Sequence, residues 1–177
     1  MGEPPWPIGA LIERVRREGI DAVRAACGPF VLVGSTRTEG EAAWSFATQA
    51  AVSPLAGAEA RGFDLDHAIA LPLRKRGRTF ADTVLIGRSR SNDVVVEDGT
   101  VSKLHARARL DEGSFWLADA GSRNGTFLDG ERLDGEEIEV FPADTVRFGS
   151  CTFRVHRGAS FCDLLSRLGA SADGARG

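Results

Sequence analysis

Arg88, Ser102, Lys103, Arg123 and Asn124 are the residues of this chain best suited to gripping an anion. They stand in three short polar stretches, GRSRSND (87–93), GTVSKLH (99–105) and AGSRNGT (120–126), each lying between apolar runs. A guanidinium is a planar fork of N–H donors that matches phosphate oxygens, an ammonium is a compact point charge, and a hydroxyl or carboxamide adds directed hydrogen bonds. If one end of the fold gathers the three stretches, two or three cations, a hydroxyl and a carboxamide converge on one spot. Each charge-assisted hydrogen bond in such a site contributes about 1.5–3 kcal/mol. A dianionic phosphate ester is the guest that fits. Each feature also has a plainer reading. Arg88 could pair with Asp93 or Glu97 across its own loop, as exposed ion pairs commonly do, and SRNGT could be only a turn in which Asn and Gly supply left-handed backbone.

Catalytic patterns fit poorly. GRSRS approaches the G-x-S-x-G nucleophile elbow, but Ser91 replaces the second glycine, and NDVVV after it reads as a strand where an elbow needs a helix. Neither GSRNGT nor GSTRTEG has the spacing of a nucleotide-binding loop. His67, His105 and His156 are too scattered for a metal site. No enzyme activity, metal or cofactor is expected.

Composition limits the partners. The 177 residues are 42% hydrophobic and 27% charged, ordinary material for one good core and an appendage. A net charge of -3 argues against a nucleic-acid coat, which demands a broad basic surface, so any anion site must be local. Cys27, Cys151 and Cys162 are odd in number and widely spaced, giving neither a disulfide framework nor paired zinc ligands; they read as buried thiols. The chain lacks an uninterrupted apolar stretch of about 18 residues, and MGEPPWPIGALIERVRREG carries acids and prolines where a signal peptide needs an apolar run. The expectation is a cytoplasmic protein that binds neither membrane nor nucleic acid.

The elements that must position these loops divide near residue 66. In residues 1–65, Ile8, Leu11, Ile12 and Val15 fall at i, i+3, i+4 and i+7 and predict an amphipathic helix ending at Gly19. A second helix is expected over 21–27 with Asp21 as its N-cap. FVLVGS and AAWSFATQ read as two strands that could form a hairpin, and 50–62, rich in Ala, Gly and Pro, reads as a linker. From 66 to 157, short runs rich in β-branched and aromatic residues recur at roughly 8–12-residue spacing, the rhythm of an antiparallel β-sandwich. Within LHARARL, Leu104, Ala106, Ala108 and Leu110 are expected on a packed face, with His105, Arg107 and Arg109 on a polar one. LDGER marks a hairpin. RKRGR (74–78) reads as a solvated hairpin end. Residues 158–177 read as a short C-terminal helix capped by Ser160, with a flexible tail past Gly169.

The three loops in order, Gly-Arg, then Ser-x-x-His, then Asn-Gly-Thr, separated by strands, resemble a forkhead-associated (FHA) domain over about 66–157. The resemblance implies a mainly β fold, an FHA-type sandwich that binds phosphothreonine peptides. It implies that Arg88 and Ser102 bind the phosphate, that Asn124 holds the peptide backbone, and that Lys103 and Arg123 assist. By the same resemblance Gly87, His105, Gly125 and Thr126 are structural, the histidine bracing the loops from behind. Lys103 stands where arginine is more usual and Arg123 where threonine is common, so the grip at 103 lacks a fork. The implied function is recruitment of a phosphorylated partner, such as a Ser/Thr kinase or its substrate. The alternative is a constitutive interaction or dimerisation scaffold with a phosphate-independent interface. Thr36 and Thr38 raise the idea of a phosphorylated N-terminal segment read by the same or a neighbouring chain; their plainer reading is a polar loop.

Overall fold

The computed structural model describes residues 5–35, 67–76, 82–111 and 113–174, with side chains up to 169 in the last stretch. The elements in chain order are β1 (Trp6–Pro7), α1 (Ile8–Glu18), α2 (Ile20–Cys27), β2 (Phe30–Ser35), β3 (Ile69–Leu73), β4 (Thr83–Gly87) and β5 (Val94–Val95). There follow β6 (Ala106–Leu110), β7 (Phe115–Asp119), β8 (Thr126–Leu128), β9 (Glu131–Arg132), β10 (Ile138–Val140), β11 (Thr145–Phe148), β12 (Cys151–Arg157) and α3 (Gly158–Gly174).

Among the described residues two sheets form a sandwich. One has the strand order β1-β3-β2-β12-β11-β8-β9, the other β10-β7-β6-β4-β5. The pairings are antiparallel except β4 with β5, which run parallel at Ile86↔Val94 and Gly87↔Val95. The alternation of side chains explains the core. Phe30 and Leu32 of β2, Leu71 and Leu73 of β3, Val84 and Ile86 of β4, Phe148 of β11 and Phe153 of β12 meet between the sheets. Each such fully buried apolar side chain contributes about 1.5–3 kcal/mol of transfer free energy.

β2 is buried on both faces, which is why FVLV is a continuous apolar run and not an alternating one. Val31 and Val33 point away from the sandwich and pack with Ala70 against Ile8, Leu11 and Ile12 of α1, Val23 of α2 and Phe161 and Leu165 of α3. The three described helices therefore make a third layer on the larger sheet. Although it precedes the expected linker, β2 lies in the middle of that sheet, between β12 from Thr152↔Ser35 to Arg157↔Phe30 and β3 from Phe30↔Leu73 to Gly34↔Ile69. The expected partner strand AAWSFATQ, the linker 50–62, Thr36 and Thr38 lie outside the described residues.

Several local expectations need correction. Helix α2 begins at Ile20 with Gly19 at its N-cap, so Asp21 lies inside the first turn and caps nothing. Helix α3 begins at Gly158, two residues before Ser160, and runs to Gly174 past the expected tail boundary. Lys75 is not a solvated hairpin end: its ammonium meets Asp93 at 2.8 Å, with 19% and 6% of the two side chains exposed. Arg74 lies over the Trp6 ring. The LDGER hairpin forms as expected, with Phe127↔Arg132 and Leu128↔Glu131 flanking Asp129 (φ 48°) and Gly130 (φ 90°), the two left-handed positions of a tight turn. All three cysteines are free and buried, and burial pushes the Cys27 and Cys151 thiols up to about 12. Among the described residues no helix is long and apolar enough to cross a membrane.

Candidate functional site

The three loops meet at one rim. Arg88, Ser102, Lys103, Arg123 and Asn124, all five residues singled out from the sequence, line a single open concavity of about 380 Å³ together with Gly99, Thr100 and Val101. Among the described residues no acidic side chain lines it, and Arg88, Lys103 and Arg123 form no ion pair. Three cations thus face one volume uncompensated by a described carboxylate, which creates a local positive potential on a chain of net charge -3.

The plainer pairings of Arg88 are not made. Asp93 accepts instead from Lys75 Nζ and from the backbone N–H groups of Arg76 and Leu85. Glu97 meets Arg90 at 3.3 Å. Arg88 follows β4, its main-chain N–H donates to Ser102 O at 2.9 Å, and its Nε donates to Val101 O at 3.1 Å. The guanidinium is thereby tethered along one edge while its terminal nitrogens remain for a guest.

Ser102 is held from three sides. Its N–H donates to His105 Nδ1 at 2.9 Å, its carbonyl accepts from Arg88 N–H, and its Oγ accepts from Arg123 N–H at 3.0 Å. The hydroxyl proton is left to donate into the concavity. His105 is not on the polar face of a strand as its alternation predicts: β6 starts at Ala106, and the imidazole is fully buried behind the loops. Its Nε2 faces Gly125 O at 3.1 Å. Because Nδ1 must accept from Ser102, the neutral ring carries its proton on Nε2 and donates it to Gly125. Burial holds its pKa below the ordinary 6.5, against the opposing pull of the Gly125 carbonyl and the Asp119 charge. Leu104, expected to be packed, is 41% exposed.

Tight spacing accounts for Gly87: a Cβ there would stand 2.5 Å from Lys103 O and 2.9 Å from Asn92 Nδ2. Gly125 has φ 83°, a conformation costly for any side-chain-bearing residue. Thr126 is fully buried and its hydroxyl donates to Asp119 Oδ1 at 2.7 Å.

Three residues that build the site were not singled out from the sequence. Asn92 is 4% exposed and its Nδ2 donates to both Ser89 O at 2.9 Å and Lys103 O at 2.6 Å, stitching the first loop to the second. Asp119 organises the third loop: Oδ1 accepts from the Ser122 and Thr126 hydroxyls, and Oδ2 from the N–H groups of Gly121 and Ser122. Burial raises its pKa, but these hydrogen bonds outweigh that and hold it below the usual carboxylate value. Ser122 Oγ in turn accepts from Gly125 N–H, so Ser122 braces the loop and does not face the concavity. The Asp-Ala-Gly-Ser spacing is a local Asx-type signal that could have found this brace. Thr100, the third, lines the concavity and its carbonyl accepts from Asn124 Nδ2 at 2.7 Å.

Residues 84–149 match the family model of the FHA domain. The chain carries an FHA domain. Among its relatives, the glycogen accumulation regulator GarA of Mycolicibacterium smegmatis is 33% identical over 106 residues, covering 52% of this chain and 63% of that one. The oxoglutarate dehydrogenase inhibitor of Corynebacterium glutamicum is 38% identical over 64 residues, covering 33% of this chain and 45% of that one. The chain thus spans roughly half to just under two thirds of the length of these curated relatives. Among solved structures, the yeast Dun1 FHA domain in complex with a doubly phosphorylated peptide aligns over 73% of this chain and 75% of that one, with 21% identity and a TM-score of 0.47.

Proposed function

We propose that this FHA domain binds phosphothreonine peptides and recruits phosphorylated protein partners in signalling. The observation that carries the reading is the concavity in which three cations, a hydroxyl with a free proton and a carboxamide face one volume without an acidic neighbour among the described residues. In this reading the Arg88 guanidinium and the Ser102 hydroxyl hold the phosphate, Lys103 and Arg123 add charge, and Asn124 holds the peptide backbone. The names of the relatives, a regulator and an inhibitor, agree with a binding module acting on other proteins. The partner is a phosphothreonine-bearing protein such as a Ser/Thr kinase or its substrate, met in the cytoplasm.

The test is titration of the full chain with a degenerate phosphothreonine peptide library and its unphosphorylated counterpart. Binding near the micromolar range, about -8 kcal/mol, is expected only for the phosphorylated form. Arg88→Ala should remove that binding while leaving the melting temperature within a few degrees, because the exposed arginine stabilises the fold through only one side-chain hydrogen bond among the described residues. Equal binding of both peptide forms, or full affinity in Arg88→Ala, would overturn the reading.

A further inference from the structure

Asn124 can order a peptide only if its amide is held in one orientation, and its fixed contact is to a carbonyl in a different loop. Asn124 Nδ2 donates to Thr100 O at 2.7 Å. This leaves Oδ1 and the second N–H of the amide for a ligand backbone, an acceptor and a donor side by side.

The position of that carbonyl is set by residues outside the concavity. The Thr100 N–H donates to Asp98 Oδ1 at 2.7 Å, and the Thr100 hydroxyl donates to the same oxygen. Thr100 Oγ1 also lies 2.8 Å from Ser150 Oγ, and it accepts from the Ser150 N–H at 3.0 Å. The Ser150 and Cys151 side chains bond the same Asp98 carboxylate. The Thr100 hydroxyl is thus held between Asp98 and Ser150. Gly149 admits the approach: a Cβ there would stand 2.7 Å from both Thr100 O and Thr100 Oγ1. Ser150 belongs to the turn between β11 and β12, fifty residues from Thr100 in sequence. The Asp98 carboxyl, raised by burial but lowered further by its bonds from Thr100, Cys151 and Ser150, stays ionised at neutral pH as this arrangement requires.

We infer that Asp98 and Ser150 are positioning residues for peptide recognition: they fix the Thr100 carbonyl, which orients the Asn124 amide toward the peptide backbone. The inference rests on the phosphopeptide reading of the site and adds to it two residues that do not line the concavity.

The experiment is a double-mutant cycle on the full chain, read as affinity for the phosphothreonine peptide selected above. Ser150→Ala should weaken binding by about five-fold, the size of one lost hydrogen bond. In an Asn124→Ala background the same change should have no further effect, because its route to the peptide is gone. Ser150→Thr, which keeps the hydroxyl, should restore binding. Asp98→Asn, a second entry into the same chain of bonds, should behave as Ser150→Ala does, with melting temperatures measured for every variant. Undiminished affinity in both Ser150→Ala and Asp98→Asn, or a penalty that persists undiminished beside Asn124→Ala, would overturn the inference while leaving the site reading intact. Absence of phosphopeptide binding by the unmutated chain would overturn both.

Discussion

At the residue scale, the loops that carry the site pack with little room to spare. Gly87 shows how little slack exists: a methyl group would overlap the Lys103 carbonyl that Asn92 also binds. Gly87→Ala is expected to cost about 1–3 kcal/mol in urea denaturation, because the backbone carbonyl it meets cannot swing aside as a side chain would. Phosphopeptide affinity should fall with it, since the overlap pushes apart the loops that carry Arg88 and Lys103. His105 gives the fold a pH dependence whose sign is fixed by its environment. The buried ring rejects a proton that the unfolded chain accepts, so its contribution is intact above about pH 6.5 and is lost as pH falls below that value. The urea midpoint should therefore be lower at pH 5.5 than at pH 7.5. His105→Gln should remove most of that difference. A wild-type midpoint unchanged between the two pH values would contradict the assigned neutral tautomer. Asp98 and Asp119, with pKa values below the usual carboxylate range, contribute stability that disappears only at still lower pH, below about 4.

Turns and strands at the element scale separate backbone conformation from side-chain bracing. Gly130 occupies a left-handed position at φ 90°, and a methyl group placed there would meet nothing within 4 Å, so Gly130→Ala tests conformation alone. A loss of about 1 kcal/mol with unchanged peptide affinity is expected. Asp119→Ala is the complementary change, removing four acceptor contacts from the loop between β7 and β8. It should cost about 2–3 kcal/mol and weaken phosphopeptide binding, although Asp119 does not line the concavity. If binding survives with only stability lost, the loop holds Arg123 and Asn124 in place by other means. The pairings themselves follow from pattern: β6 buries Ala106 and Ala108 while Arg107 is exposed, as strict alternation demands.

At the scale of the whole molecule, the helical layer and β2 join the two ends of the chain. Removing residues 1–65 would strip β2 from between β12 and β3, leaving two strand edges unpaired and uncovering the apolar face that α1 and α2 share with α3. Residues 66–157 expressed alone are therefore expected to be unfolded or aggregated, whereas the full chain melts cooperatively. A sharp thermal transition and a dispersed NMR spectrum from the fragment would show that β2 is dispensable. The charge distribution has its own signature at this scale: a net-acidic chain with a cationic rim should bind phosphopeptide less tightly as ionic strength rises.

The strands, the LDGER hairpin, helix α1 and the five residues of the rim were legible because their signals are local. Period-2 and period-3.6 apolar patterns, Asp-Gly turns and polar loops are written within a few residues of one another. The sandwich interior follows from that alternation, and the chemistry of Arg88, Ser102, Lys103, Arg123 and Asn124 follows from side-chain type. Contacts over long separations were decided by the tertiary structure alone. Phe30 faces Arg157 across the central pairing, Thr100 meets Ser150, and Lys75 reaches Asp93. Nothing in the neighbourhood of either partner records such a contact, because its free energy arises only when folding brings the two distant segments together. His105 shows the boundary most clearly. Its alternation places it outward, yet two backbone partners brought together from separate loops satisfy both ring nitrogens and make full burial the lower-energy state for that ring.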